Sequence, residues 1–264
     1  MNQRYAIVIG ASKGIGLAVF QQLVEQGYEV CGLSRSQGQL PVEKWIPCDV
    51  TDANSIEEGF YQAIKRLGGR LDVCVLNAGI GISGAFEFTS ERDYRRQMEV
   101  NVFGTIACAR QAAQIMRHQQ NGKIIFISSL AAIFPLPFQS FYSASKAAVN
   151  VISDAMGIEL KPFSVETCTI MLNDVKTEFT DNRVKTWVGD DVYGGRIEAS
   201  VSKMEHSEQE GMRPEDVARV VCALLSRRKL PPHKIVGVGN EMLNFLYRIL
   251  PTGIMLQILA KIYG

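Results

Sequence analysis

Residues 5–16, Tyr5-Ala6-Ile7-Val8-Ile9-Gly10-Ala11-Ser12-Lys13-Gly14-Ile15-Gly16, decide the fold. The apolar run from Ala6 to Ile9 predicts a short buried strand. Three glycines in a GxxxGxG pattern follow, and a helical pattern begins at Gly14. Glycines let the backbone approach a phosphate, and the first N–H groups of a helix bind anions. The stretch therefore predicts a strand, a turn and a helix that bind a dinucleotide through Gly10, Ser12, Lys13, Gly14, Ile15 and Gly16.

The alternation of strands and helices continues along the chain. Strand-length apolar runs occupy residues 5–9, 29–33, 45–49, 71–77, 123–128, 165–172 and 234–238, and helical patterns occupy residues 14–26, 55–67, 90–119, 142–161 and 214–226. The strands are continuous Val/Ile/Leu/Cys runs, as in a parallel sheet that is covered by helices. No linker or repeat divides the chain. We therefore predict one α/β domain over residues 1–264, a Rossmann-type, doubly wound parallel sheet of about seven strands with helices on both faces.

Composition and charge exclude several classes of protein. The 264 residues contain 28 Lys and Arg against 27 Asp and Glu, a balance that gives no reason to expect a nucleic-acid partner. A hydrophobic fraction of 47% supplies a core and excludes intrinsic disorder. Six cysteines without a CxxC pair and three scattered histidines predict no metal site. No apolar run is long enough for a signal peptide or a transmembrane helix, so we expect a cytoplasmic protein.

The end of the second predicted strand indicates which dinucleotide is bound. A carboxylate at that position would bind the ribose diol of NAD. Here the residues are Ser34-Arg35-Ser36, and Arg35 offers a planar fork for a 2′-phosphate. Lys13, just before the second glycine, adds a second positive charge. Two cations without a carboxylate favour NADP(H), with NAD(H) as the alternative.

A tyrosine and a lysine at helical spacing form the centre of a candidate catalytic group. Tyr142 and Lys146 are four residues apart at the start of a predicted helix, so their side chains share one face. A free tyrosine has a pKa of about 10, which a neighbouring ammonium and a nicotinamide cation would both lower. Ser129, just past a strand, could bind a substrate oxygen held by Tyr142. Asn101, a poor helix former inside a helical region, could hold a water that links Lys146 to solvent.

Together these motifs resemble the short-chain dehydrogenase/reductase family over essentially the whole chain. The matching residues, in family order, are Gly10-x-x-x-Gly14-x-Gly16, Asp49-Val50, Asn77-Ala78-Gly79, Asn101, Ser129 and Tyr142-x-x-x-Lys146. The resemblance implies a seven-stranded parallel sheet and a catalytic tetrad of Asn101, Ser129, Tyr142 and Lys146. It places Asp49 and Val50 beside the adenine, Asn77, Ala78 and Gly79 beside the cofactor, Tyr142 and Lys146 in contact with it, and Val175 and Thr177 at the nicotinamide carboxamide.

Two positions depart from the family pattern. Ile9 replaces a threonine that often precedes the first glycine, and this removes a structural hydroxyl. Leu172-Asn173-Asp174 stands where the family often has Pro-Gly followed by one variable residue. This second departure affects the local backbone and the wall of the pocket.

The residues that border the substrate in this fold indicate a lipophilic molecule. The run between Ser129 and Tyr142 is apolar and carries no charge. We expect the substrate to contact Ser129, Leu130, Phe134, Leu136, Gln139, Tyr142 and Phe179. The stretch Leu136-Pro137-Phe138 is similar to the 17β-hydroxysteroid dehydrogenase branch of the family.

Two further segments have a predicted role beside the substrate. Residues 178–213 are polar without a clear period, which predicts an irregular insertion. It could close as a lid through Trp187, Tyr193 and Met204, and a solvated loop is the alternative. Residues 241–264 form an apolar helical extension that suits a substrate lid, a subunit contact or a shallow membrane contact. We favour packing on the protein itself or on a second subunit.

These features predict an NADP(H)-dependent oxidoreductase. It would interconvert a secondary alcohol and a ketone on a lipophilic, hydroxysteroid-like substrate, with Tyr142 as the acid/base. A 3-oxoacyl thioester reductase is the alternative, and Arg95 and Arg96 are the cations that could bind its carrier. The alternative from another class is a non-catalytic NADP-sensing protein. Loss of Tyr142 or Lys146 would have indicated such a protein, and both residues are present. We expect a homodimer or homotetramer.

Overall fold

The computed structural model of the chain describes residues 3–263, apart from the side chains of Val238 and Arg248. Met1, Asn2 and Gly264, which belong to the predicted domain of residues 1–264, lie outside the described residues. The strands are β1 (Arg4–Ile9), β2 (Tyr28–Ser34), β3 (Trp45–Pro47), β4 (Val73–Leu76), β5 (Ile82–Ser83), β6 (Gly122–Ser129), β7 (Val165–Leu172), β8 (Val184–Lys185) and β9 (His233–Ile235).

Helices follow most of the strands. They are α1 (Gly14–Glu25), α2 (Ala53–Arg66), α3 (Glu91–Met98), α4 (Thr105–Gln119), α5 (Ser140–Leu160), α6 (Glu178–Asp181), α7 (Arg196–Gln209), α8 (Pro214–Leu225), α9 (Val238–Ile249) and α10 (Thr252–Tyr263). A π-helical segment, Glu99–Gly104, joins α3 to α4 and interrupts what the sequence predicts as one long helix.

Seven strands form one parallel sheet in the order β3-β2-β1-β4-β6-β7-β9. The chain builds from β1 through β2 and β3 in one direction, and from β4 through β6, β7 and β9 in the other. The strand order therefore reverses between β1 and β4. In open α/β sheets, ligands bind in the crevice at the carboxyl ends of the strands at such a reversal. The predicted doubly wound parallel sheet is confirmed.

Two apolar layers cover the two faces of this sheet. Alternate residues of β1 point to opposite faces, so Val8 belongs to the layer under α1 and α8, and Ile7 to the layer under α2, α4 and α5. Phe60 of α2 is 2% exposed, and burial of such a side chain stabilises the fold by about 1.5–3 kcal/mol. All six cysteines are buried free thiols, as expected of small core residues.

The segment that the sequence predicts to be irregular, residues 178–213, contains the regular helix α7. Ile197, Val201 and Met204 of this helix are buried and pack with Ala85, at the spacing i, i+4 and i+7. The predicted irregular structure is wrong over residues 196–209. The polar residues of α7 outnumber the few apolar residues of its buried stripe, and this hides the helical period in the sequence. Only one side of the helix is buried.

The C-terminal helices α9 and α10 fold back over the carboxyl ends of β6 and β7. Met255 and Leu259 are buried there against Leu130 and Phe134. The sequence left several roles open for residues 241–264. In the structure, this segment packs on the protein itself. The outer sides of the two helices expose apolar residues, among them Met242, Phe245, Ile249, Ile254 and Leu256. Within residues 3–263, no helix has both the length and the apolar character needed to cross a bilayer.

Candidate active site

The glycine turn after β1 is packed so closely that side chains would not fit. Gly10 has φ +75°, and a Cβ there would lie 2.8 Å from the backbone nitrogen of Ala78. A Cβ on Gly16 would lie 2.1 Å from the carbonyl oxygen of Gly10, which also accepts a 3.0 Å hydrogen bond from Asn77 Nδ2. Asn77 thus ties the turn to the end of β4.

The first turn of α1 offers donors to an anionic ligand. Lys13 precedes this helix and makes no side-chain hydrogen bond to it, while Gly14 and Ile15 line the cleft. Free N–H groups at a helix N-terminus are the donors that a pyrophosphate requires. The residues present therefore fit a dinucleotide, with the glycines as its cradle.

Arg35 and Asp49 line the far end of the same cleft. Asp49 accepts hydrogen bonds from the backbone N–H and the hydroxyl of Thr51, at 2.9 and 2.8 Å. Burial raises the pKa of Asp49, but the Thr51 hydrogen bonds and the charge of Arg35 outweigh it and hold that pKa below its ordinary value. Arg35 is itself exposed, so its guanidinium can reach a ligand at this end.

Lys13 is paired with an acid that the sequence analysis did not consider. Its Nζ lies 3.0 Å from the carboxylate of Glu178 on α6, and both side chains are about half exposed. Glu178 also lines the cleft. The charge of Lys13 that we expected to act on a 2′-phosphate is therefore shared with Glu178.

We expect Glu178→Gln to tighten NADPH binding by about two- to fivefold. An exposed ion pair contributes at most about 1 kcal/mol, and its removal frees Lys13 for the phosphate. Fluorescence titration with NADPH measures the change, and Asp181→Asn, which removes an exposed carboxylate from the same helix, is the matched control. Unchanged NADPH affinity in Glu178→Gln would show that Lys13 does not act on the cofactor.

The four predicted catalytic residues come together at the carboxyl ends of β4 and β6. Lys146 Nζ donates to the carbonyl oxygen of Ile127 at 3.1 Å and lies 5.8 Å from the centre of the Tyr142 ring. A Cβ on Gly79 would lie 3.4 Å from Asn101 Oδ1 and 3.7 Å from Lys146 Nζ. Gly79 therefore keeps open the space between the asparagine and the lysine.

Asn101 lies in the π-helical segment and holds the loop after β4. Its Oδ1 accepts from the N–H of Ile80 at 2.8 Å, and its Nδ2 donates to the carbonyl oxygen of Ile80 at 3.0 Å and to Ser145 Oγ at 3.1 Å. Local π-helical turns are frequent at functional sites, and here the turn carries a buried side chain that bridges two elements. The role of Asn101 in a water relay stays a prediction.

Burial shifts the pKa values of the tyrosine and the lysine in opposite directions. It raises the pKa of Tyr142 to about 12, and interaction with Ser129 lowers that pKa only in part. It also lowers the pKa of Lys146 to about 8, because the charged ammonium is taken out of water. We expected the Lys146 ammonium and a nicotinamide cation to lower the tyrosine pKa; among the protein groups, burial outweighs the lowering effects of Ser129 and Arg183, so the pKa is raised.

The lowered pKa of Lys146 predicts a specific dependence of stability on pH. Between pH 8 and 10.5 the unfolded chain binds more protons at this position than the folded chain, so the contribution of Lys146 to stability rises with pH. Relative to Lys146→Met, we expect the wild-type free energy of unfolding to increase by about 1.5 kcal/mol from pH 8 to pH 9.5. Urea denaturation of both proteins at the two pH values measures it. A difference independent of pH would contradict the assignment.

One continuous cleft of about 470 Å³ joins the cofactor and substrate sides. Two of the predicted site residues, Gly16 and Asn101, lie behind its wall. The others line it: Gly10, Ser12, Lys13, Gly14, Ile15, Arg35, Asp49, Val50, Asn77, Ala78, Gly79, Ser129, Leu130, Phe134, Leu136, Gln139, Tyr142, Lys146, Val175, Thr177 and Phe179. The ring centroids of Tyr142 and Phe179 are 5.9 Å apart, so the segment of residues 178–213 reaches Tyr142.

The two other aromatic residues that we predicted to close over the substrate lie elsewhere. Trp187 is 43% exposed and outside the cleft lining. Tyr193 is also outside it and donates its hydroxyl to the carboxylate of Glu87, at 2.7 and 2.8 Å from the two oxygens. Met204 does line the cleft, because α7 turns it inward.

Several residues of the cleft were missed by the sequence analysis. Helix α10 contributes Met255, Ile258, Leu259, Ile262 and Tyr263 to the wall, and α7 contributes Ser207 and Glu208. The helical spacing of Met255, Ile258, Leu259 and Ile262 is readable in the sequence and could have indicated an inward face. Asp174 also lines the cleft, at the departure from the family pattern.

Comparisons with known proteins cover nearly the whole chain. A family model described as short chain dehydrogenase matches residues 4–187. A 3-ketodihydrosphingosine reductase from Bacteroides thetaiotaomicron is 35% identical over 240 residues, 90% of this chain and 89% of the relative. A probable short-chain type dehydrogenase/reductase, VdlC, from Helicobacter pylori is 32% identical over 257 residues, with 94% and 93% covered. The crystal structure of a short-chain dehydrogenase from Streptomyces avermitilis superposes with a TM-score of 0.82 at 26% identity, over 99% of this chain and 95% of that one.

Proposed function

The chain belongs to the short-chain dehydrogenase/reductase family, and we propose that it is an NADP(H)-dependent reductase of a ketone on a lipophilic molecule. The reaction converts a ketone, NADPH and a proton into a secondary alcohol and NADP⁺. When bound, NADPH supplies the hydride that adds to the carbonyl carbon. The protein's part is to bind the ketone, orient its oxygen and deliver the proton.

The observation that carries this proposal is the place of the Tyr142 phenol, which lines the cleft where the cofactor and substrate sides meet and has Lys146 Nζ 5.8 Å from its ring centre. With a pKa of about 12, Tyr142 keeps its proton at neutral pH and is ready to give it to a carbonyl oxygen. Ser129 Oγ accepts the N–H of Ala131 at 3.1 Å, so its own O–H is a donor: it lowers the pKa of Tyr142, and it would give a bound carbonyl oxygen a second hydrogen bond. Both groups favour the negative charge that develops on that oxygen during reduction.

The cofactor preference rests on the charges around the cleft. Arg35 and Lys13 both line it, and the residues beside Arg35 are Ser34 and Ser36 rather than an acid. A guanidinium suits the doubly charged 2′-phosphate that distinguishes NADPH from NADH. This supports NADP(H), with NAD(H) as the weaker cofactor.

The proposed substrate is a ketone on a long apolar chain rather than a steroid. The substrate side is walled by apolar side chains of the segment between β6 and α5 and of α10. The relative from Bacteroides thetaiotaomicron is named for a keto lipid. The steroid interpretation rested on residues 136–138, but Phe138 packs its ring edge-on against Tyr193, 5.6 Å between centroids, and lies outside the cleft lining.

A panel of ketones tests the proposal. NADPH oxidation is followed with long-chain keto lipids, steroid ketones and 3-oxoacyl thioesters at equal concentration. We expect the keto lipids to give the highest kcat/KM, and NADH to support a lower rate. Higher activity with thioesters or steroids would replace the proposed substrate, and tight NADPH binding without turnover of any ketone would favour a sensing protein.

We also propose that two copies of the chain associate through α4 and α5. Val151 and Ile158, one heptad apart on α5, are 68% and 75% exposed, and a surface groove between the two helices is lined by Ile106, Ala109, Ala113, Ile152 and Met156. We expect the wild type to elute as a homodimer or homotetramer and Ile158→Glu to elute as a smaller species in size-exclusion chromatography with light scattering. A monomeric wild type would contradict this.

A further inference from the structure

A buried ion pair lies at the wall of the cleft. The Arg183 side chain is 1% exposed and donates to the carboxylate of Glu208, which lines the cleft. The second oxygen of this carboxylate accepts a hydrogen bond from the hydroxyl of Thr180 at 2.6 Å. Within residues 3–263, the Nε and Nη1 groups of Arg183 have no hydrogen-bond partner. Apolar side chains of similar size often stabilise a fold as well as a buried ion pair does, so stability alone does not account for this arginine.

The same arginine packs against the ring that lies beside Tyr142. Its Cζ atom is 5.7 Å from the centre of the Phe179 ring, and the Phe179 and Tyr142 ring centroids are 5.9 Å apart. Gly81, in the loop after β4, is close to both: a Cβ there would lie 2.9 Å from Phe179 Cζ and 3.4 Å from Arg183 Nε. The carbonyl oxygen of Gly81 accepts the N–H of Val184 at 3.0 Å. The place of Phe179 beside Tyr142 therefore depends on the arginine.

The two charges of this ion pair act on Tyr142 in opposite directions. The charge of Glu208 raises the pKa of the phenol, and the charge of Arg183 lowers it. Other titratable or charged groups near Tyr142 and the ion pair include Lys146 on α5, Asp174 after β7, Lys185 on β8, Glu205 on α7 and Tyr263 on α10. A phenol that gives up its proton becomes negative, so Arg183 favours this step and Glu208 opposes it.

We infer that Arg183 is a positioning residue for Tyr142: it fixes Phe179 beside the tyrosine ring and offsets the negative charge that Glu208 brings to the cleft. The inference rests on the proposed reductase function. In ketone reduction the phenol O–H bond breaks, its proton bonds to the carbonyl oxygen as the hydride of NADPH adds to the carbonyl carbon, and a phenolate remains. The guanidinium is already buried and held in place, so its positive charge stabilises this phenolate without rearrangement.

The test measures the pH dependence of the reverse reaction, the oxidation of a long-chain secondary alcohol with NADP⁺. In this direction Tyr142 accepts the alcohol proton, so kcat/KM rises with pH through the pKa of Tyr142, which the nicotinamide cation of bound NADP⁺ lowers. We expect Arg183→Met to move the midpoint of this rise up by about one pH unit and Glu208→Gln to move it down by a similar amount. The double variant Arg183→Met/Glu208→Gln should lie between them.

Two control variants separate the charge of Arg183 from a purely structural role. Arg183→Lys keeps the positive charge, so it should keep the wild-type midpoint even where kcat falls. Arg196→Met removes an exposed arginine of α7 and should match the wild type in both kcat and midpoint. Neither arginine lines the cleft, so these variants should bind NADPH with a Kd within about twofold of the wild-type value, which fluorescence titration measures.

The outcomes separate the inference from the proposed function. If Arg183→Met and Glu208→Gln lower kcat without moving the midpoint, or move it in the same direction, the inference is wrong and the reductase function stands. If the wild type neither oxidises the alcohol nor reduces a ketone, both are wrong. Arg183→Met leaves the Glu208 carboxylate buried and unpaired, which can prevent folding. In that case the double variant is compared with Glu208→Gln: loss of the arginine should raise the midpoint, and an equal midpoint would contradict the inference.

Discussion

Replacing Tyr142 with phenylalanine is expected to lower kcat for ketone reduction by about 10³- to 10⁴-fold, the upper part of the range for a positioned general acid. Phenylalanine keeps the ring that lies 5.9 Å from Phe179 and removes the proton that a carbonyl oxygen would receive. The Kd for NADPH should therefore stay within about twofold. Stopped-flow and steady-state assays of the purified variant measure both quantities.

Tyr94→Phe is the matched control for this variant. Tyr94 stacks on Phe141, 5.0 Å between centroids, and lies outside the cleft lining, so loss of its hydroxyl should leave kcat unchanged. A Tyr142→Phe protein that turns over at near wild-type rate would remove Tyr142 from the mechanism. If the loss of kcat came with a large rise in the Kd for NADPH, the role of Tyr142 would be cofactor binding instead of proton transfer.

Arg35→Ala is expected to raise the Kd for NADPH by about tenfold or more and to change the Kd for NADH by less than twofold. A charge-assisted hydrogen bond to a phosphate contributes about 1.5–3 kcal/mol, which NADH cannot form because it lacks the 2′-phosphate. Calorimetry with both cofactors measures this selectivity.

Arg92→Ala, which removes an exposed arginine of α3 outside the cleft lining, controls for net charge. We expect the Arg92→Ala variant to bind NADPH and NADH with the same Kd values as the wild type. Equal affinity of the wild-type protein for NADPH and NADH would contradict the proposed role of Arg35, whatever the variant does.

Local patterns were enough to predict most of the sheet. The run Val165–Leu172 ends in the apolar residues Ile170, Met171 and Leu172, and it forms β7 over the predicted residues. Helix α2 begins at Ala53 instead of the predicted Ser55, because Asp52 caps it by accepting from the N–H groups of Asn54 and Ser55. Ser55 Oγ accepts the N–H of Asp49 at 2.9 Å and so helps to position a cleft residue.

The parts of the site that the sequence analysis missed depend on contacts between distant residues. Helix α6 brings Glu178 to Lys13, a pairing that the sequence does not reveal. Helix α7 likewise brings Glu208 into the cleft that Asp174 and Tyr142 line. The pKa of Tyr142 likewise depends on how completely its surroundings exclude water, which the spacing of Tyr142 and Lys146 does not reveal. Helix α10 forms part of the cleft wall. Its apolar composition alone is equally compatible with a subunit contact, so the sequence could not distinguish the two.

The most direct test of the account follows a deuterium label from NADPH to product. The wild-type protein is incubated with a long-chain ketone and NADPH that carries deuterium at its transferable position, and the alcohol is analysed by mass spectrometry. We expect one deuterium on the carbinol carbon of the wild-type product, and at most a trace of this product with Tyr142→Phe in the same time. A ketone recovered unchanged after incubation with the wild type, or an alcohol whose carbinol carbon carries no deuterium, would contradict the proposed reductase.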